Sequence, residues 1–233
     1  MEALPRNRFE QGQVLLINKP LHWTSFDVIR KIRAITGIKK LGHAGTLDPL
    51  ATGLLIICTG KFTKRISEFM SQEKEYTGTF TLGASTASFD LETTPGNFKP
   101  VDNISEQRIF LAAKKFTGEI MQVPPAHSAI KQKGKRVYEL ARKGQKIEMQ
   151  PRKIVVREFE ILKIEAITQA AIIVHFRVVC STGTYIRSLA NDFGEALGCG
   201  AYLSSLCRTR IGEFKLTDAL SVDEFANALE NYS

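Results

Sequence analysis

Two β-rich runs, residues 154–167 and 170–180, constrain the fold more than anything else in the chain. They are joined near Thr168-Gln169, too short a link for anything but a hairpin turn, so the two runs pair antiparallel. Other expected strands are 14–18, 54–58, 76–82 and 203–211. Expected helices are one starting at Thr24 and stopping at Gly37, then 62–70, 104–116, 137–142, 184–197 and 222–231. Thr24 supplies an N-cap hydroxyl with Asp27 in the first turn, and Gly37 suits a C-cap. Residues 41–53 and 84–100 are rich in turn-forming types and read as loops. Strands occur in pairs as well as before helices. That order implies an α+β fold with a mixed, mostly antiparallel central sheet flanked by helices, not βαβ repeats.

Charge is distributed unevenly. The net charge is +8, from 32 Lys and Arg against 24 Asp and Glu. Residues 131–157 hold 10 of those bases and 2 of the acids, so the remainder is neutral with 22 of each. A concentrated basic segment fits polyanion binding through phosphate neutralisation and counterion release; a solvated Lys-rich face explains it as well. Lys131, Lys133, Lys135, Arg136, Arg142 and Lys143 are the candidate patch.

Several function classes drop out. Gly53 and Gly60-Lys61 lie too far apart for a P-loop, and Phe62 stands where Ser or Thr belongs. Gly198-Cys-Gly200 lacks a third glycine and follows a helix, so it is no dinucleotide fingerprint. No Gly-x-Ser-x-Gly elbow occurs. Cys58, Cys180, Cys199 and Cys207 form no Cys-x-x-Cys pair and complete no zinc pattern with His, so no metal is expected. The cysteines read as buried filler in a reducing, cytoplasmic protein. Residues 1–13 carry no apolar signal core, and the longest apolar runs are too short for a membrane span.

One loop concentrates chemistry. Gly42-His-Ala-Gly-Thr-Leu-Asp-Pro-Leu-Ala-Thr-Gly53 sets a single carboxylate, Asp48, among small and turn-forming residues. Asp before Pro is held out of the helical region, and flanking glycines let backbone approach a ligand. His43 and Thr46 add polar groups beside it. On the residues alone a structural Asx turn is the commoner use of such a pattern.

Lys19-Pro20-x-x-x-Thr24-Ser25 followed by that loop resembles the TruB family of tRNA pseudouridine synthases. Further blocks extend the resemblance in order: Tyr76-x5-Leu82-Gly83, Val123-Pro-Pro-Ala-His-Ser-Ala-Ile-Lys131 with Gly134-x-Arg136-x-Tyr138, Cys180-Ser-Thr-Gly-Thr-Tyr-Ile-Arg187, and Leu206-x-Arg208-Thr-x-x-Gly212. The resemblance implies a pseudouridine synthase catalytic fold. It also implies isomerisation of a T-loop uridine of tRNA, position 55 in tRNA numbering, without cofactor. Asp48 would be catalytic. Tyr76 would stack on the flipped base, and Arg187 would pair with Asp48. Tyr185 and Leu206 would line the base site, His43 would contact RNA, and Lys19 and Pro20 would position the loop. By themselves Tyr76, Tyr185 and Leu206 suit ordinary core packing, Arg187 a surface helix, and Lys19 a solvated strand end.

Three departures stand out. His22 and His127 replace residue types usual in the family, Gly and Tyr. Residues 1–233 read as one catalytic domain, with a core of about 14–214 and no room for a C-terminal RNA-binding domain of the PUA type. The expected partner is the T-arm of tRNA, bound by a monomer. A guide-dependent synthase of the H/ACA type and a non-catalytic RNA-binding protein are the alternatives.

Overall fold

The computed structural model describes residues 6–125, 131–132, 135–136, 149–168 and 171–230. In chain order its elements are α1 (Arg6–Gln11), β1 (Val14–Lys19), α2 (Ser25–Thr36), β2 (Leu41–His43), β3 (Ala51–Thr59), a 3-10 turn (Gly60–Arg65) and α3 (Ile66–Met70). Next come β4 (Lys74–Leu82), α4 (Glu106–Lys115), β5 (Gly118–Gln122), β6 (Lys131–Gln132), β7 (Lys135–Arg136), β8 (Arg152–Thr168) and β9 (Ala171–Cys180). The chain ends with α5 (Ile186–Leu197), β10 (Ala201–Ile211), β11 (Phe214–Lys215), a 3-10 turn (Leu216–Asp218), β12 (Leu220–Ser221) and α6 (Val222–Glu230).

The β8–β9 hairpin is present, with register running from Val156↔Cys180 to Thr168↔Ala171 across three irregularities. It belongs to a ten-stranded sheet ordered β12-β1-β3-β10-β4-β9-β8-β5, with β2 on β3 and β11 on β10. The β1–β12 and β3–β10 pairs are parallel. The β1–β3, β2–β3, β5–β8 and β8–β9 pairs are antiparallel. The α+β reading with a mixed sheet holds.

The chain divides into two compact units, Met1–Thr77 with Leu206–Ser233, and Gly78–Ser205. The boundaries fall inside β4 and β10. In the first unit β3 is buried on both faces, which explains its unbroken apolar run. Leu55 and Ile57 pack with Ile17, Val28, Ile29 and Ile32; Leu54, Ile56 and Cys58 pack with Phe69 and Ile211. Helix α2 starts at the expected Thr24 through a full capping box with Asp27 and stops at Gly37, φ 68°. The second unit has an aromatic centre in which the Phe80 and Phe176 rings lie 4.2 Å apart and the Phe159 and Phe193 rings 5.5 Å apart.

Local expectations needed adjustment. Part of the expected 41–53 loop is strand β2, because Leu41, Gly42 and His43 pair with Thr59, Cys58 and Ile57. The expected 62–70 helix is a 3-10 turn followed by a short α-helix. Strand β5 was not foreseen, since Pro124-Pro125 drew that region toward irregular structure. Residues 84–100 have few regular elements but are tied by Ser85–Gly96 bonds and by Lys99 N to Gly83 O. The expected 137–142 helix and His127 lie outside the described residues. So do Lys133, Arg142 and Lys143 of the basic patch; Lys131 and Arg136 are partners across the β6–β7 ladder, as are Gln132 and Lys135. Among the described residues no helix is long and apolar enough to cross a membrane, and no cluster suits a metal ion.

Candidate active site

Strand β1 ends at Lys19, opposite Gly53 at the start of β3. The loop carrying Asp48 therefore leaves β2 and re-enters the sheet beside Lys19. Every segment of that loop is bonded through its backbone. Leu47 N donates to Ser25 Oγ at 2.9 Å, and Ser25 Oγ reaches Leu47 O at 3.2 Å. Ala51 N closes a turn on Asp48 O at 3.0 Å. His22 N donates to Pro49 O at 2.8 Å. The Asp48 side chain remains half-buried, with Thr46 exposed nearby.

Two buried cations complete the mounting. Lys19 is fully buried, and its Nζ donates to Trp23 O at 2.6 Å, Pro20 O at 2.9 Å and, at the limit, Pro49 O at 3.5 Å. Burial lowers its pKa to about 8, against the opposing pull of the Asp48 carboxylate and the same-direction push of Arg208. The solvated strand-end reading of Lys19 is thus replaced by a buried ammonium that staples three carbonyls. Arg208 is 1% exposed and donates from Nε to Leu54 O at 2.8 Å and from Nη2 to Gly45 O at 3.1 Å. Its backbone lies against Gly53 in the parallel β3–β10 pair. A Cβ on Gly53, φ 101°, would sit 2.4 Å from Arg208 O, so only glycine allows that approach.

His43 ends β2 with its Nδ1 buried and short of a hydrogen bond. Burial lowers its pKa first and Arg208 lowers it further, while the Gly45 backbone offsets part of this. The neutral imidazole is therefore favoured near pH 7. Tyr76 is buried in β4. Leu206 pairs with Ala51, and its carbonyl accepts from Thr52 Oγ1 at 3.3 Å, so it stands at the loop's exit, half-buried.

Tyr185 and Arg187 belong to the second unit. Tyr185 is the N-cap residue of α5, and buried Gln122 clamps its backbone in both directions. Tyr185 N donates to Gln122 Oε1 at 2.8 Å and Gln122 Nε2 to Tyr185 O at 3.1 Å. Arg187 is no surface residue: it is 4% exposed, with Nη1 on Ser88 O at 3.3 Å and Nε 3.6 Å from Asp90 Oδ2. Asp90 in turn accepts from Glu92 N at 3.0 Å.

Sequence reasoning missed Arg208, Ser25, Gln122 and Asp90 as supports. Arg208 and Ser25 stood inside quoted motifs, which was the available signal. Gln122 holds the backbone of Tyr185 and Asp90 faces the Arg187 guanidinium, both across long stretches of chain that no local pattern marks. His22 adopts φ 65°, in the left-handed region where glycine is at ease, so His stands here in a backbone conformation that suits Gly. Burial raises the Cys58 thiol to about 11 and pushes up that of Cys199, so neither is a ready nucleophile.

The geometry is that of a rigidly seated carboxylate with a cation behind it. Residues 33–186 match the TruB family pseudouridylate synthase N-terminal domain, and residues 187–233 match the tRNA pseudouridylate synthase B C-terminal domain. The chain is 52% identical to a tRNA pseudouridine synthase B of Flavobacterium johnsoniae, over 94% of this chain and 97% of that one. It is 49% identical to one of Phocaeicola vulgatus, over 95% of each. Among solved structures it resembles a chain of an H/ACA ribonucleoprotein bound to a substrate RNA containing 2′-deoxyuridine, with 29% identity and a TM-score of 0.70. That match covers 96% of this chain and 55% of the other. The chain belongs to the TruB family of pseudouridylate synthases.

Proposed function

We propose that the protein isomerises a uridine of tRNA to pseudouridine, acting on the T-loop uridine at position 55. The observation that carries this reading is the seating of Asp48, whose loop is bonded at Gly45, Leu47, Asp48 and Pro49 while the side chain stays half-buried. Such a carboxylate can act at the sugar C1′ without rearranging its support, and preorganisation of this kind lowers a barrier. The N1–C1′ bond breaks, the uracil turns, and C5 bonds to C1′. The proton on C5 leaves and N1 gains one, so the product is an isomer.

The uridine must first leave its stack, at a cost of a few kcal/mol that replacement contacts offset. Tyr76 and Leu206 receive the base in this reading. His43 and Thr46 contact the neighbouring nucleotide, Lys19 holds the loop, and Tyr185 and Arg187 bind the uridine and its phosphate. Lys131, Lys133, Lys135, Arg136, Arg142 and Lys143 grip the RNA backbone. Reversing Lys133, Lys135 and Arg136 to Glu weakens tRNA binding and flattens its salt dependence; unchanged affinity counts against the patch.

The test uses the purified chain, an unmodified tRNA transcript and pseudouridine mapping. Wild type converts the T-loop uridine, and Asp48→Asn loses the activity. No product, or product undiminished by Asp48→Asn, rejects the proposal. The likeness to an H/ACA protein keeps a second reading in play, in which a guide RNA selects the uridine. Conversion of an isolated T-arm stem-loop excludes it.

A further inference from the structure

Beside the Asp48 loop, and lined by none of the residues given an RNA contact above, lies a cavity of about 440 Å³ formed by His22, Trp23, Asp27, Arg30, Lys31 and Ala34. Its volume lies in the range of small-molecule sites. Trp23 is the only tryptophan in the chain and is partly buried, packed on one side against the core of the first unit. Its carbonyl takes the shortest Lys19 bond, 2.6 Å, and the backbone of His22 is bonded to Pro49, the residue after Asp48. The cavity wall and the catalytic loop are therefore parts of one rigid assembly.

The lining has the chemistry of single-stranded RNA recognition. Two aromatic residues, His22 and Trp23, line it together with the cations Arg30 and Lys31, and Phe26, in the first turn of α2, is 59% exposed. The only lining acid is already committed. Asp27 accepts from Thr24 N and Oγ1 and pairs with Arg30 at 2.6 Å. Hydrogen bonds from Thr24, before anything else, hold its carboxyl below the usual range, so it stays an internal capping group. Lys31 is exposed and enters no ion pair among the described residues, so its charge faces outward. An aromatic wall stacks on any base, and a free ammonium at its rim suits the adjoining phosphate.

We infer that the His22–Trp23–Lys31 cavity holds an unstacked nucleobase, with its phosphate, from a nucleotide flanking the target uridine. This rests on the proposed RNA substrate and adds a second base-binding site to it. Because His22 occupies the left-handed region, His22→Gly relieves backbone constraint and keeps the turn.

Trp23 supplies its own reporter. A T-arm stem-loop titrated into the Asp48→Asn chain quenches Trp23 emission, while a blunt duplex of equal length does not. Trp23→Phe removes the signal and identifies its source. In the active chain His22→Gly, which loses a stacking ring, and Lys31→Glu, which reverses a phosphate contact, each raise KM about fivefold or more, with a smaller change in kcat. Unchanged emission at RNA concentrations that saturate a gel shift overturns the inference. So does equal quenching by the duplex, or an unchanged KM in both variants. Failure of wild type to form any pseudouridine condemns the proposed activity instead, so the two failures are distinguishable.

Discussion

Lys19 and Arg208 direct their hydrogen bonds to backbone carbonyls around the Asp48 loop, whereas the second unit seats α5 on a centre of packed phenylalanines. The first arrangement is polar at its heart. Each buried cation must keep its acceptors, and each carbonyl its donor, because an unpaired polar group in low dielectric costs more than the bond itself yields. The second arrangement depends on volume and shape. Phe193 of α5 touches Phe80, Phe116 and Phe159, with ring centroids 5.5 to 6.3 Å apart. The contrast is between a mounting sensitive to charge and one sensitive to space.

The largest effect is expected from breaking the apolar side of this contrast. Phe193→Ala removes a fully buried ring and destabilises by about 3–5 kcal/mol, read by chemical unfolding. The remaining folded fraction keeps the Lys19 pKa, since no bond of that ammonium changes. Arg208→Met breaks the polar side. It strands Gly45 O and Leu54 O and costs about 2–4 kcal/mol, from two unpaired acceptors at 1–3 kcal/mol each with partial relaxation. Unlike Phe193→Ala, it also lowers kcat at saturating RNA, because the loop loses an anchor. A kcat loss as large in Phe193→Ala as in Arg208→Met would erase the distinction between the two mountings.

A smaller change sharpens it. Gln122→Leu replaces the clamp on Tyr185 with a side chain of similar size. The Tyr185 N–H and carbonyl then lose partners, for about 1–3 kcal/mol. If the second unit relied on packing alone, this variant would be nearly neutral in thermal unfolding.

Much of the fold was legible because it rests on short-range rules. The capping box at Thr24 and Asp27, the stop at Gly37 and the β8–β9 hairpin follow from residues within a few positions of each other. β5 was not, since a five-residue strand next to two prolines owes its existence to β8. At the site, the ordered motifs pointed to Asp48, but what holds it was hidden. Arg208 reaches Gly45 across 163 positions, and Gln122 reaches Tyr185 across 63. A lysine at a strand end gives no hint that it is sealed from water, because burial is a property of the assembled sheet.

The smallest effect, counted per pH unit, is also the most specific to the polar mounting. Lys19 has a folded pKa near 8, below its ordinary 10.5, so above pH 8 the unfolded chain holds the proton that the folded chain releases. Stability then rises with pH between about 8 and 10.5, by at most about 1.4 kcal/mol per pH unit for one proton. Activity moves the other way. A neutral amine donates two hydrogen bonds instead of three, so the staple across Pro20, Trp23 and Pro49 weakens and kcat falls through the same window. Lys19→Met abolishes both trends, while Phe193→Ala leaves both in place. Parallel pH profiles of urea unfolding and of kcat decide the matter: opposite slopes with a shared midpoint near 8 identify Lys19, and slopes of the same sign show that its ammonium is not what holds the loop.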